Sequence, residues 1–277
     1  MEVKKKIVLT GACGRISSLL LPALRERYDL VLLDVKTTDW EGSPVEGVRV
    51  ADLCESDRDA YREHFQGADA IVHNGFVGHA GSANPFESEM FNVQMAYNIY
   101  QLAWEENVRR VVMTSSNHAA DYYEDLVLDG KMDVVTPEMQ NRSYGYYGWA
   151  KDAYEHLGFV FAVGQMNGGR QLDNLQIRIG GPRETDLSKV DPGDLRRMRR
   201  SLGAYISQRD LQQLYVKSIE AGDIRDENGV PFRIFYGISG NSHGFWSLVS
   251  ARQIIGYEPE DDSSIRFHRE IGEFLEK

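Results

Sequence analysis

Cysteine is nearly absent: Cys13 and Cys54 are the only two in 277 residues. Two thiols cannot build a disulfide framework, so both are expected to be reduced and the protein to be cytoplasmic. Metal-ligand patterns are missing as well. The seven histidines follow no ligand spacing, and neither HExxH nor CxxC occurs, so no metal site is expected. No GxSxG elbow precedes a helix, which removes the usual serine-hydrolase arrangement. There is no run of about 18 apolar residues, so no membrane span is expected. The N-terminus starts with lysines as a signal peptide would, but its apolar run, Ile7-Val8-Leu9, breaks at Thr10-Gly11. Positive charge is in deficit, with 31 Lys and Arg against 42 Asp and Glu, a net of −11. A surface of that sign repels phosphates, which argues against nucleic acid or an anionic membrane as partner; its plain role is solubility. No internal repeat or low-complexity tract is present.

What is present reads as an α/β protein. Hydrophobic residues make up 42% and charged residues 26%, the balance of a globular chain. The length suits one large core, 1–277, in which residues 1–165 are mainly dinucleotide-binding and 166–277 add a small C-terminal substrate lobe. Ile7-Val8-Leu9 reads as a buried strand, Gly11-Ala12-Cys13-Gly14 as a tight turn, and Ile16 to Arg27 as a helix. Such a turn lets backbone N–H groups at a helix start meet a pyrophosphate, so Gly11, Cys13, Gly14, Arg15 and Ile16 are candidate cofactor contacts. Ser17 stands where a third glycine is usual, and Pro22 inside the helix is expected to kink it. Leu30 to Leu33 is the second strand. It ends at Asp34, 20 residues after Gly14, placed to accept hydrogen bonds from an adenosine ribose and to repel a 2′-phosphate. NAD is therefore expected rather than NADP, with Lys36 nearby as the contrary sign. Asp52-Leu53 either meets an adenine ring or simply caps a helix.

Ala70-Ile71-Val72 is the fourth strand, and His73-Asn74-Gly75 follows at its C-terminal end, where open parallel sheets bind ligands; Asn74 and Gly75 are cofactor candidates. Glycines at 75, 78 and 81 suggest a mobile loop over the site. A long helix then runs from Pro85 to about Asn107, its apolar stripe serving as core or dimer interface. Asn92 on it is expected to turn toward the fifth strand and the cofactor. That strand, Val111-Val112-Met113, ends at Thr114-Ser115-Ser116. A second helix carries Tyr147 and Lys151, four apart and therefore on one face. A neighbouring ammonium lowers a phenol's pKa, so Tyr147 is the candidate general base, with Ser116 holding the substrate hydroxyl. Leu175 to Ile179 and Phe232 to Tyr236 read as the last two strands. Between them Arg183, Arg196, Arg197, Arg199 and Arg200 form either a solvated helix face or an anion-binding rim.

Taken together, TGACGRIS at 10–17, Asp34, Asp52-Leu53, TSSNH at 114–118, YGWAK at 147–151 and RIGGP at 178–182 resemble an extended short-chain dehydrogenase/reductase over nearly the whole chain. SSNH, Arg178-Ile179-Gly180 and the late segments 236–241, 248–252 and 256–259 are similar to uronate dehydrogenases and to archaeal NAD-dependent glucose-6-phosphate dehydrogenases. The resemblance implies a Rossmann-like doubly wound parallel sheet and NAD-dependent oxidation of an acidic or polar aldose, a uronate first, at its anomeric carbon to give a lactone. A sugar-phosphate dehydrogenase, or an epimerase or dehydratase retaining NAD, is the alternative. It implies the triad Ser116, Tyr147 and Lys151, with Lys151 on the nicotinamide ribose and Ile179 beside the cofactor. It further implies Asn117, His118 and Gly78 at the sugar and Arg178 paired with its carboxylate. A homodimer through the two long helices is a possible assembly.

Overall fold

The structure is a computed structural model describing residues 3–78, 84–182, 187 and 190–276, without the side chain of Asn167. Its centre is a parallel sheet. Strand β1 (Lys6–Thr10) pairs on one side with β2 (Asp29–Asp34), which pairs with β3 (Val48–Val50). On the other side it pairs with β4 (Ala70–His73), followed outward by β5 (Arg110–Ser116), β6 (Asp173–Ile179) and β7 (Phe232–Gly237). The order is β3-β2-β1-β4-β5-β6-β7, so the chain reverses its winding between β1 and β4. That reversal opens a crevice beyond the carboxyl ends of the strands.

Helices cover both faces, as a buried parallel sheet requires. Successive β1 residues point to opposite sides: Ile7 and Leu9 join a core shared with Leu20 and Leu24 of α1 (Arg15–Arg27) and Leu211 and Leu214 of α6 (Gln208–Glu220). Val8 joins the other, with Ile99 and Tyr100 of α2 (Pro85–Glu105) and Ala150 and Tyr154 of α4 (Tyr146–Val163). Helix α1 runs continuously through Pro22. Asn84 starts α2 by accepting the Phe86 N–H, and Pro85 takes the first helical position, where its missing N–H costs nothing. Helix α3 (Tyr122–Leu128) follows β5, and α5 (Leu195–Gly203) follows β6. The backbone bridge between Gly181 and Tyr205 ties the end of β6 to the end of α5. Three short helices, α7 (Val249–Ile255), α8 (Ser263–Arg266) and α9 (His268–Leu275), complete the chain. Among the described residues no helix is long and apolar enough to cross a membrane.

Candidate active site

Two cavities meet over the crevice. The first, about 400 Å³, is lined by Gly11, Gly14, Arg15, Ile16, Asp34, Lys36, Asp52, Leu53, Asn74 and Gly75 among others. Gly11 has a φ of +62°, and a Cβ there would sit 2.6 Å from the Asn74 carbonyl, so the turn admits glycine only. Asp34 is anchored from below, accepting the Cys13 N–H at 2.9 Å and the Lys36 N–H at 3.3 Å. Asp52 accepts the Cys54 N–H at 2.9 Å, closing its own turn while still lining the cavity. Asn74 donates to the Ser17 hydroxyl at 2.9 Å and accepts from Thr114. Ser17 thus fills the place of the missing glycine with a bond that fixes the floor. A glycine-walled groove at a helix start, with a carboxylate at the next strand end, fits an adenosine diphosphate moiety. Arg15 lies 5.1 Å from the Trp40 ring, a cation beside an aromatic face at the rim.

The second cavity, about 410 Å³, shares Ile16, Asn74, Gly75 and Phe76 with the first and adds Thr114, Ser115, Ser116, Asn117, His118, Tyr147, Lys151, Ile179, Gly180, Gly181 and Arg200. Ser116, Tyr147 and Lys151, the expected triad, therefore line one space. A Cβ on Gly148 would overlap the His118 carbonyl oxygen, so this glycine lets α4 lie against the Ser116 to Ala120 segment. Tyr147 is half-buried and hydrogen-bonded to Ser116. Phe76 packs edge-on against its ring at 5.5 Å, and His118 does so at 5.8 Å. Lys151 is buried and donates to the Thr114 carbonyl at 3.1 Å, with its ammonium over the rings of Tyr154, Phe76 and Tyr147 at 4.5, 5.4 and 5.6 Å.

The protonation picture differs from the sequence-based expectation. Burial pushes the Tyr147 phenol above its ordinary pKa; the Ser116 hydrogen bond pulls it down, and the nearby Glu89 charge pushes it up again. Lys151 faces the tyrosine ring while its proton goes to a carbonyl. Burial in turn draws Lys151 down to about 8, opposed by Glu89 and Glu155. His73, buried beneath the crevice with Nδ1 2.7 Å from the Thr10 hydroxyl, is drawn to about 3 by burial and by Lys151.

Four expected contacts are corrected. Arg178 lines neither cavity. It is completely buried, bonded to Glu155 at 2.8 and 2.9 Å, to the Tyr236 hydroxyl at 3.1 Å and to Asn141. A guanidinium inside a sheet must have its charge met, and Glu155 meets it. Asn92 turns to the chain above it rather than to the fifth strand: it accepts the Val77 N–H at 2.7 Å and donates to the Val77 carbonyl and to Glu89. Gly78 is exposed and lines neither cavity. Cys13 is buried behind the turn, its N–H given to Asp34 and its thiol to the Lys36 carbonyl. Gly81 and Arg183 lie outside the described residues.

Pattern reading missed residues in and behind the second cavity. Phe76 carries no local signal. Glu155 had one: it lies four residues beyond Lys151 on the same helical face. Arg200 stood unresolved in the arginine run; it lines the cavity, pairs with Glu124 at 2.9 Å and comes within 3.5 Å of His118 Nε2. Arg196, by contrast, pairs with Asp125 on α3 and with Asp129 just past its end.

Residues 7–161 match the NAD dependent epimerase/dehydratase family. The chain belongs to that family. It is thus an extended short-chain dehydrogenase/reductase, an NAD-dependent enzyme. It is 28% identical to an NAD-dependent glucose-6-phosphate dehydrogenase of Haloferax volcanii, over 93% of this chain and 94% of that one. It is 27% identical to a uronate dehydrogenase of Pseudomonas syringae pv. tomato, over 94% of this chain and 83% of the other. The crystal structure of uronate dehydrogenase from Agrobacterium tumefaciens superposes with a TM-score of 0.74 at 26% identity, covering 98% of this chain and 89% of that one.

Proposed function

We propose that this enzyme oxidises the anomeric carbon of an acidic or polar aldose to a lactone, with NAD as acceptor. The observation that carries the reading is that Ser116, Tyr147 and Lys151 line one cavity, which shares a wall of Ile16, Asn74, Gly75 and Phe76 with the dinucleotide groove. The bound dinucleotide supplies a hydride acceptor. Ser116 and Tyr147, bonded to each other, receive the C1 hydroxyl between them, and Tyr147 takes its proton as C1 loses hydride. Lys151, fixed by the Thr114 carbonyl, holds the nicotinamide ribose and supplies positive charge beside the developing phenolate. Asn117 and His118 orient the remaining sugar hydroxyls. The names of the relatives, a uronate dehydrogenase and a glucose-6-phosphate dehydrogenase, support a sugar substrate. In this reading residues 1–277 act as one domain, with α5 and the segments after it supplying the substrate lobe.

The test is NADH absorbance with a panel of aldoses, uronates and sugar phosphates. Native protein is expected to reduce added NAD with at least one of them, and Tyr147→Phe to lose about a hundredfold or more of that rate. Interconversion of a nucleotide sugar without net NADH would favour the epimerase alternative.

A further inference from the structure

We infer that Glu124 and Asp121 set the substrate class: by pairing with the Arg200 guanidinium and the His118 imidazole on one wall of the second cavity, they fit it to an uncharged aldose in preference to a uronate or a sugar phosphate. The inference rests on the reading of this site as a sugar dehydrogenase.

Among the described residues, the groups lining the second cavity that could meet a substrate anion, apart from Lys151, are Arg200 and His118. Both already have carboxylates. Arg200 gives its Nε to Glu124 at 2.9 Å and one Nη to the same carboxylate at 3.4 Å. His118 Nδ1 lies 2.9 Å from Asp121, whose other oxygen accepts the Tyr144 N–H at 2.9 Å. Neither acid is a loose surface group: the Glu124 side chain is 10% exposed and that of Asp121 14%. The packing of α3 on α5 holds the first pair in place, reinforced by Arg196 with Asp125 and Asp129.

The consequence follows from charge. A guanidinium recognises a carboxylate best with two parallel N–H groups, and here the Nε edge is committed to Glu124. A uronate or phosphate reaching Arg200 would bring a second negative charge beside a shielded carboxylate, where like charges repel more strongly than in water. A sugar hydroxyl has no such conflict, since it can donate to a carboxylate oxygen or accept from a remaining N–H. Discrimination of this kind works by repelling the wrong ligand as well as by binding the right one.

The experiment measures kcat/KM with NAD for D-galactose, L-arabinose, D-galacturonate and glucose 6-phosphate in native protein, Glu124→Gln and Asp121→Asn. Native protein is expected to favour a neutral aldose. In Glu124→Gln the ratio of galacturonate to neutral-aldose kcat/KM should rise about tenfold, and adding Arg200→Met should remove that gain. Asp121→Asn should move the ratio the same way and carries the test if Glu124→Gln does not fold. Preference of the native enzyme for galacturonate or glucose 6-phosphate over both neutral sugars would overturn the inference alone. So would an unchanged ratio in the folded variants. Absence of NADH with every sugar would overturn the dehydrogenase reading and this inference with it.

Discussion

Tyr147 and Lys151 have opposite electrostatic problems in one pocket. Burial disfavours charge on both, so the phenol is held up and the ammonium drawn down to about 8. Lys151 is therefore largely protonated below that pH and neutral above it, whereas an exposed lysine keeps its charge to about 10.4. If the ammonium grips the cofactor, affinity of the free protein for NAD should weaken as pH rises through about 8. Calorimetric titration with NAD from about pH 7 to about pH 9 reads this directly. Lys151→Met should bind more weakly throughout and without the inflection. A native profile that is flat over this range would show that Lys151 carries no such role. The tyrosine–lysine pair was legible in the sequence because four-residue spacing fixes a shared helical face. The direction of the Tyr147 shift was not, because it depends on how deeply the pocket is enclosed and where the lysine proton points.

At the scale of elements, the contact between β6 and α4 sets the position of the helix that carries Tyr147 and Lys151. Along β6, Asn174, Gln176 and Arg178 alternate with Leu175, Ile177 and Ile179, and all six are buried. Period-two alternation places the polar set on one face, the face that meets α4, where Glu155 receives Arg178 and also the Ser115 hydroxyl at 2.7 Å. Asn141 joins the same cluster by donating to Asp152 and Glu155 at 2.6 and 2.7 Å. Arg178→Leu would leave the Glu155 carboxylate buried without its cation, at a cost of about 3 kcal/mol or more. That should appear as a lower urea midpoint, and the double change with Glu155→Leu should recover most of it. A substrate contact would behave differently, raising KM while leaving the midpoint in place. The sequence showed an arginine inside a strand and hence a need for a partner. It did not show whether the partner was substrate or protein, because that turns on the rotation of a helix more than twenty residues away.

For the whole molecule, topology gathers the site. Parallel strands send Thr10, Asp34, His73, Ser116 and Ile179 to one edge of the sheet, and the reversal between β1 and β4 leaves that edge open. This much could be read from the alternation of apolar strands and helices, from Gly11 and from the position of Asp34. Arg200 could not, because it reaches the cavity through a long connection whose end is pinned by the Gly181–Tyr205 bridge. The same holds for Glu124, which meets Arg200 only once α5 is packed on α3. The central claim is that hydride leaves C1 of an aldose inside this pocket while Tyr147 takes the hydroxyl proton. It is tested most directly with an aldose deuterated at C1, following the label by mass spectrometry of the cofactor. Native protein should deliver the deuterium to reduced NAD and Tyr147→Phe should not. Label that stays on the sugar, or equal transfer by both proteins, would contradict the account.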